Sequence, residues 1–540
     1  MGGIDLAKKL ISIIMISLIV MLSCACSHEP ESPEDQLIYY NISSEPFTLD
    51  PQIANDAGAR LVILNIFEGL VRQDAENNIT PGAAESWDIS GDRMMYTFHL
   101  RDGLQWNDGT ALSADDFLYG LKRTLQPETG SPTAGTLYCI KNAEKINKGE
   151  LDISALGVFA TDSKTLIIQL EYPESDFLQL MTTPPAMPCS KQFFEKTAGQ
   201  YGRDDDKLLT NGAFYVRESG WAHDEYLYLR KNTAYVGKDK PVPAGVNITI
   251  GKDQADICSA ISSGIVDCGA ISAADKDRAD ALGFHLTGFG DTVWGISFNM
   301  KNDITKNKNF RLGLLSSLDR NKILGGLSES CQPTENIIPD SAELDGKTYR
   351  TIAGNVNFTP SDNYRQLLDK GLKELKLTAF PDITILCADD EGTQIIVNNM
   401  IQTWNELTGS YINKKPVPLS DLKDRIADEN FDIVIAPLTI EGSTPLSTLE
   451  LFESESKYNA AALSSQEYDS LTESIRHSLT ESSGENIRKA EQYLIDNAVF
   501  YPLYTENRYY ASAGNVEGIL FHPFGAEADF FYAAKTVEDS

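Results

Sequence analysis

The stretch Tyr96-Thr97-Phe98-His99-Leu100-Arg101-Asp102-Gly103-Leu104-Gln105-Trp106-Asn107-Asp108-Gly109, running on through Ser113 to Gly135, decides the fold. Tyr96, Phe98 and Leu100 alternate with Thr97, His99 and Arg101, the period of a strand with one buried face. Asp102-Gly103 turns the chain, Leu104 and Trp106 resume the alternation, and Asn107-Asp108-Gly109 supplies the positive-φ positions of a second tight turn. Ser113 then stands as an N-cap with Asp116 three residues on, close to a capping box. Phe117, Leu121 and Leu125 follow on one helical face, and Lys122 and Arg123 fall in the last turns, where cations suit the helix dipole. The residues themselves predict a hairpin leading into a helix.

The chain around this block has 540 residues, more than one hydrophobic core's worth, so two or three lobes are expected. Its hydrophobic content of 42% and aromatic content of 9% are those of a packed globular protein. A formal charge of −32 argues against nucleic acid and against a carpet-like contact with anionic lipid, since both would be repelled. Acidity at this level keeps a protein soluble and selects no substrate.

The first residues read as an address. Lys8 and Lys9 precede an apolar run from Leu10 to Leu22, too short for a good membrane span and of signal-peptide length. The run ends Met21-Leu22-Ser23-Cys24-Ala25-Cys26, which resembles a lipobox in two registers, with Cys24 or Cys26 as the lipidated residue and Cys24 the slightly better fit. Two or three acyl chains give a stable anchor where one is marginal. The polar, Pro-rich residues 27–36 then suit a flexible tether.

No motif of catalysis follows. The chain holds no Gly-x-Ser-x-Gly elbow, Walker loop, His-Glu-x-x-His or EF-hand loop, and Gly288-Phe289-Gly290 lacks the third glycine of a dinucleotide site. The histidines are isolated, and Cys139, Cys189, Cys258, Cys268, Cys331 and Cys387 form no CxxC. No metal, cofactor or enzymatic activity is expected. Cys258 and Cys268 are near enough in sequence to pair, although scattered cysteines are more often buried small hydrophobes.

The wording of Tyr96–Gly135, with Gln126-Pro127-Glu128-Thr129-Gly130-Ser131-Pro132 in its tail, resembles the signature of bacterial extracellular solute-binding proteins of family 5, the oligopeptide/dipeptide/nickel class, nearest the oligopeptide branch. Leu49-Asp50-Pro51, Asn65-Ile66-Phe67-Glu68-Gly69-Leu70, Pro81 to Trp87 and Thr210 to Val216 resemble further landmarks. Ser263 to Asp267, Trp294 to Asn299, Asn309 to Ile323, Phe500 to Tyr504 and Asp529 to Ala533 continue them in family order. Residues 329–378 are the weakest portion of the resemblance.

The resemblance implies an α/β, two-lobed periplasmic-binding-protein type II fold with a hinge. Its expected parts are a signal peptide and lipobox at 1–26, the tether at 27–36, and a first lobe at 37–290 with an inserted subdomain at 70–195. A second lobe at 291–505 and a return to the first at 506–540 complete it. It also implies a lipid-anchored receptor outside the bacterial cytoplasmic membrane that binds oligopeptides between its lobes and hands them to an ABC permease with cytoplasmic ATPases. Alternatives are a receptor of the same fold for a signalling peptide or for a non-peptide solute such as a metal chelate or glycan, and, of a different class, a surface hydrolase or chaperone.

The family's peptide-binding landmark, laid without gaps on Phe431 to Pro445, puts Glu441 where an Asp takes the peptide amino group. Ile435 then replaces an Arg and Leu438 a Trp, so the site departs from pattern. By the same carry-over Ser131-Pro132-Thr133-Ala134-Gly135 resembles a loop that pairs with the ligand backbone, with Thr133 where an aromatic is common. Trp294 is a candidate lid on a cleft-bordering strand, and Asn55 belongs to another cleft loop. Each of these also has a plain structural reading: a solvated loop carboxylate for Glu441, core for Trp294, surface loop for Asn55.

Overall fold

The computed structural model describes residues 37–540 except 75–77, 175, 252–255, 328–330, 345–346, 429, 439, 441–443, 477–482, 523–527 and 537–540. The signal peptide, Cys24, Cys26, the tether and Glu441 lie outside the described residues. No helix among those described is long and apolar enough to cross a membrane.

The chain starts in a four-stranded sheet ordered Leu37–Ile42, Gly245–Ile250, Tyr226–Lys231, Phe214–Ala222. The first two strands are parallel, so no tight turn can join them, and the whole segment 43–244 serves as the connection. That connection carries an antiparallel sheet of its own, Ala84–Ile89, Met95–Leu100, Thr165–Gln169 and Val158–Asp162.

The decisive stretch sits in this second sheet. Tyr96, Phe98 and Leu100 are buried along Met95–Leu100, as their alternation predicts. Both turns form, with Gly103 at φ 75° and Gly109 at φ 83°. The Asp116 carboxylate accepts from the Ser113 N–H at 2.8 Å and opens the helix Ala114–Leu125, whose Phe117, Leu121 and Leu125 are fully buried. Arg123 departs from its expected role. It is 4% exposed and turned inward, with Nη2 2.7 Å from Asp50 and the guanidinium 3.8 Å over the Phe194 ring. A partner across the fold outweighs the weak pull of a helix end.

The largest sheet has seven strands. Six run in the order Cys268–Ile271, Phe500–Ser512, His285–Phe298, Ile433–Pro437, Thr384–Ala388, Asn413–Val417, and Cys331–Pro333 pairs beside Phe500–Ser512. Its two long members, His285–Phe298 and Phe500–Ser512, pair antiparallel from His285 opposite Ser512 to Ser297 opposite Phe500. Their register shifts between Phe289 and Thr292, where Arg508 Nε meets Asp291 at 3.0 Å.

The cores define the lobes. One apolar cluster unites the first two sheets with Val516, Phe530 and Phe531 of the returning chain. Two others fill the body built between Val293 and Tyr504. The long strand pair joins the bodies. All six cysteines of the described residues are free thiols, so Cys258 and Cys268 are not bonded to each other.

Candidate ligand site between the lobes

Between the bodies lies a cavity of about 1160 Å³, above the usual few hundred to 1,000 Å³ of small-molecule sites. Its walls come from the helix Ala57–Ile66, the subdomain around 132–187 and the second-lobe segment 444–476. Among the described residues the bodies are bridged along this wall by the Lys457 ammonium, which donates to the Pro132 carbonyl at 3.1 Å.

The helix Ala57–Ile66 forms because Asp56 caps it, accepting from the Ala59 N–H at 2.7 Å, and because Leu61, Val62, Ile63 and Ile66 bury its inner face. Arg60 and Leu64, one turn apart, line the cavity. Beside them the Tyr235 hydroxyl donates to Glu68, and Arg72 pairs with Asp529 at 3.2 Å while lying 4.0 Å over Phe531. Burial raises the Glu68 carboxyl above its ordinary range, although Arg72 and the Tyr235 bond oppose the shift.

The wall shared by the subdomain and the second lobe is acidic. Arg476 gathers Glu450 at 2.8 Å, Glu453 at 2.7 Å and Glu473. Glu174 faces this group, and its carboxyl is pushed up to about 8, first by burial and then by Asp176 and Glu450, with Arg476 opposing. Burial likewise raises Glu450, against the pull of Arg476. Carboxylates that raise one another's affinity for protons mark a place where a cation is welcome.

The residues expected from the sequence fare differently. Thr133 and Gly135 line the cavity, and a side chain added at Gly135 would meet only open space. Their segment is not extended, however. Ala134–Leu137 is a short 3-10 turn in which the Thr133 carbonyl accepts from Thr136 and the Gly135 carbonyl from Tyr138, so those acceptors are engaged internally. Ala134 is 2% exposed and packs into the first core.

Trp294 is 4% exposed, stacks on Tyr504 at 5.8 Å and donates to Glu506 at 2.7 Å, so it is core and not a lid. Neither Leu438 nor Asn55 lines the cavity, although Ala54 does. Leu438 instead bonds its backbone N–H to Val293. Ile435 is fully buried in the second-lobe core.

Sequence reading missed Arg60, Glu174, Glu450 and Arg476. Of these only Arg60 had a signal, the lone charge in the helix AGARLVILNI. Glu450 and Arg476 pair within the second lobe, and Glu174 joins them only where the lobes meet. Among the described residues Asp204, Asp205 and Asp206 cluster closely enough for a cation. Asp204 is already spent on the Asp205 N–H at 2.9 Å and Asp206 on Lys207, so their geometry is that of a surface turn.

A family model described as bacterial extracellular solute-binding proteins, family 5 Middle, matches residues 78–460. The chain belongs to this family. Its members are solute-binding proteins, and a family 5 protein is extracytoplasmic. This one is 25% identical to the dipeptide-binding protein DppE of Bacillus subtilis (strain 168) over 495 residues, 91% of this chain and 90% of the relative. It is 38% identical to the probable deoxycholate-binding periplasmic protein YgiS of Escherichia coli (strain K12) over 211 residues, 39% of each chain. Among solved structures, the substrate-binding domain of an oligopeptide ABC transporter from Bacillus anthracis str. Ames superposes with a TM-score of 0.76 at 27% identity, covering 93% of this chain and 99% of that one. The fold is the two-lobed type II periplasmic-binding-protein fold.

Proposed function

We propose that this family 5 protein is the substrate-binding component of an ABC importer and receives oligopeptides in the interlobe cavity. The observation that carries the reading is the cavity itself, large enough for several residues and walled by both lobes, so that a ligand contacting both favours closure. Relatives named for dipeptide and oligopeptide binding, matched over nearly the whole chain, support it. Glu441 takes the peptide amino group, and Thr133 and Gly135 form wall contacts. Lipid on Cys24 or Cys26 holds the protein at the outer face of the cytoplasmic membrane, with the segment from 27 to 36 as tether.

A second reading is an anionic amphiphile, favoured by the partial match to the deoxycholate-binding relative. Native mass spectrometry of the purified protein, offered a mixed tripeptide-to-hexapeptide library and deoxycholate in parallel, separates the two. Retained peptides are expected, and Glu441→Gln should weaken those with a free amino group more than their acetylated forms. Retention of deoxycholate with no peptide would favour the second reading, and equal losses for free and acetylated peptides would remove the role of Glu441.

A further inference from the structure

The cavity contains a cation that the fold does not use. Among the described residues the lysines and arginines lining it are Arg60, Arg72, Lys145, Lys148, Lys457 and Arg476. Arg72 is held by Asp529 and by the Phe531 ring, and Arg476 by three glutamates. Lys148 pairs with Glu144 at 2.8 Å, Lys457 donates to Pro132, and Lys145 is exposed and hydrated. Arg60 alone is part-buried without an acceptor. Its Nε is shielded from solvent and makes no hydrogen bond.

An unsatisfied, dehydrated N–H is costly, and more so on a charged group. The arginine fork presents its donors in one plane, matched to the two oxygens of a carboxylate. Two polar side chains share the element of Arg60, and both are engaged elsewhere: Asn65 donates to the Leu61 and Ala528 carbonyls, and the Asp56 cap accepts from the Phe47 and Ala59 N–H groups. On the opposite wall Arg476 is outnumbered by the carboxylates of Glu453 and Glu473 gathered on it, so that part of the cavity disfavours an anion.

Resting on the peptide reading above, we propose that Arg60 is the cavity's receptor for a carboxylate of the bound ligand, either the C-terminal carboxylate of a peptide or an acidic side chain within it. The carboxylate accepts from the terminal N–H groups of the guanidinium, since Nε is shielded. Such a site favours ligands that carry an anion at one end and tolerate an acidic wall at the other.

The test starts from peptides that the wild-type full chain retains out of the mixed library. Each is resynthesised as free acid, as C-terminal amide without acidic residues, and as the amide with one internal glutamate, and titrated calorimetrically. Arg60→Gln should weaken the free acid at least about tenfold, the scale of one charge-assisted bond, and leave the plain amide unchanged. Arg60→Lys should retain part of the affinity. Dependence on Arg60 in the glutamate-bearing amide alone assigns the carboxylate to a side chain, and dependence in the free acid alone assigns it to the terminus.

The unfolding midpoint of Arg60→Gln should match the wild type, and a clear drop would make Arg60 structural and overturn the assignment. So would wild-type protein that binds the free acid, the glutamate-bearing amide and the plain amide equally, a comparison that needs no variant. Failure of the wild type to retain any library peptide is a separate result, which overturns the peptide reading and this inference together.

Discussion

Two helical arginines meet opposite fates in this protein. Arg123 is buried with Asp50, whose oxygens lie 2.7 and 3.1 Å from its two terminal nitrogens, and with Gln52 at 2.6 Å. Arg60 has no such partner. Removing one half of a buried pair strands the other charge in a poor solvent, so Asp50→Ala should cost about 3–5 kcal/mol of stability. Denaturant unfolding measures this directly, and a loss below about 1 kcal/mol, the range of an exposed pair, would show that Arg123 finds water or another acceptor. The same comparison explains why the side chain without a partner is the one expected to be silent in stability and audible in binding.

At the scale of elements, the segment with the weakest resemblance in sequence contains a helix, Tyr364–Glu374, laid against Lys308–Ser316. Their contact is made through glycines. A Cβ on Gly371 would sit 2.7 Å from the Phe310 backbone nitrogen, and one on Gly313 2.8 Å from that of Leu368. Backbone cannot step aside as a side-chain tip can, so Gly371→Ala should force the helices apart at a cost of about 1–3 kcal/mol. Thermal unfolding checks it, and an unchanged or raised midpoint would mean that the helix gain from alanine outweighs the clash. The loop Ser131–Gly135 also has its local form set at this scale. It runs into the 3-10 turn Ala134–Leu137, where the Thr133 and Gly135 carbonyls meet N–H donors three residues on, while Thr133 and Gly135 still line the cavity.

For the molecule as a whole, the acidic wall couples pH to stability across the lobes. Glu174 belongs to the subdomain and Glu450 to the second lobe, and burial with this neighbour holds the Glu174 carboxyl at about 8. An unfolded glutamate titrates near pH 4.3. Between the two values the native state holds a proton that the unfolded chain has released, so this contribution to stability is full below the lower value and is lost as pH rises through about 8. The unfolding midpoint of ligand-free protein should therefore fall from mildly acidic to mildly alkaline pH, and Glu174→Gln should flatten part of that slope. An identical slope in the variant would assign the effect to other raised carboxyls such as Glu68 and Glu450.

The sequence by itself determined whatever depends on neighbours along the chain. The alternation of Tyr96, Phe98 and Leu100, the two glycine turns, the Ser113–Asp116 cap and the Phe117–Leu121–Leu125 face are local, and all of them formed. With the ordered landmarks they sufficed for the family and its two-lobed fold. Tertiary structure alone decided which side chains face the ligand space. Trp294 became core because Tyr504 and Glu506, more than two hundred residues away, were waiting for it. Glu174, Glu450 and Arg476 became one electrostatic group because two separately built bodies meet there. A cleft between lobes has no local code, since its walls share space but no stretch of chain.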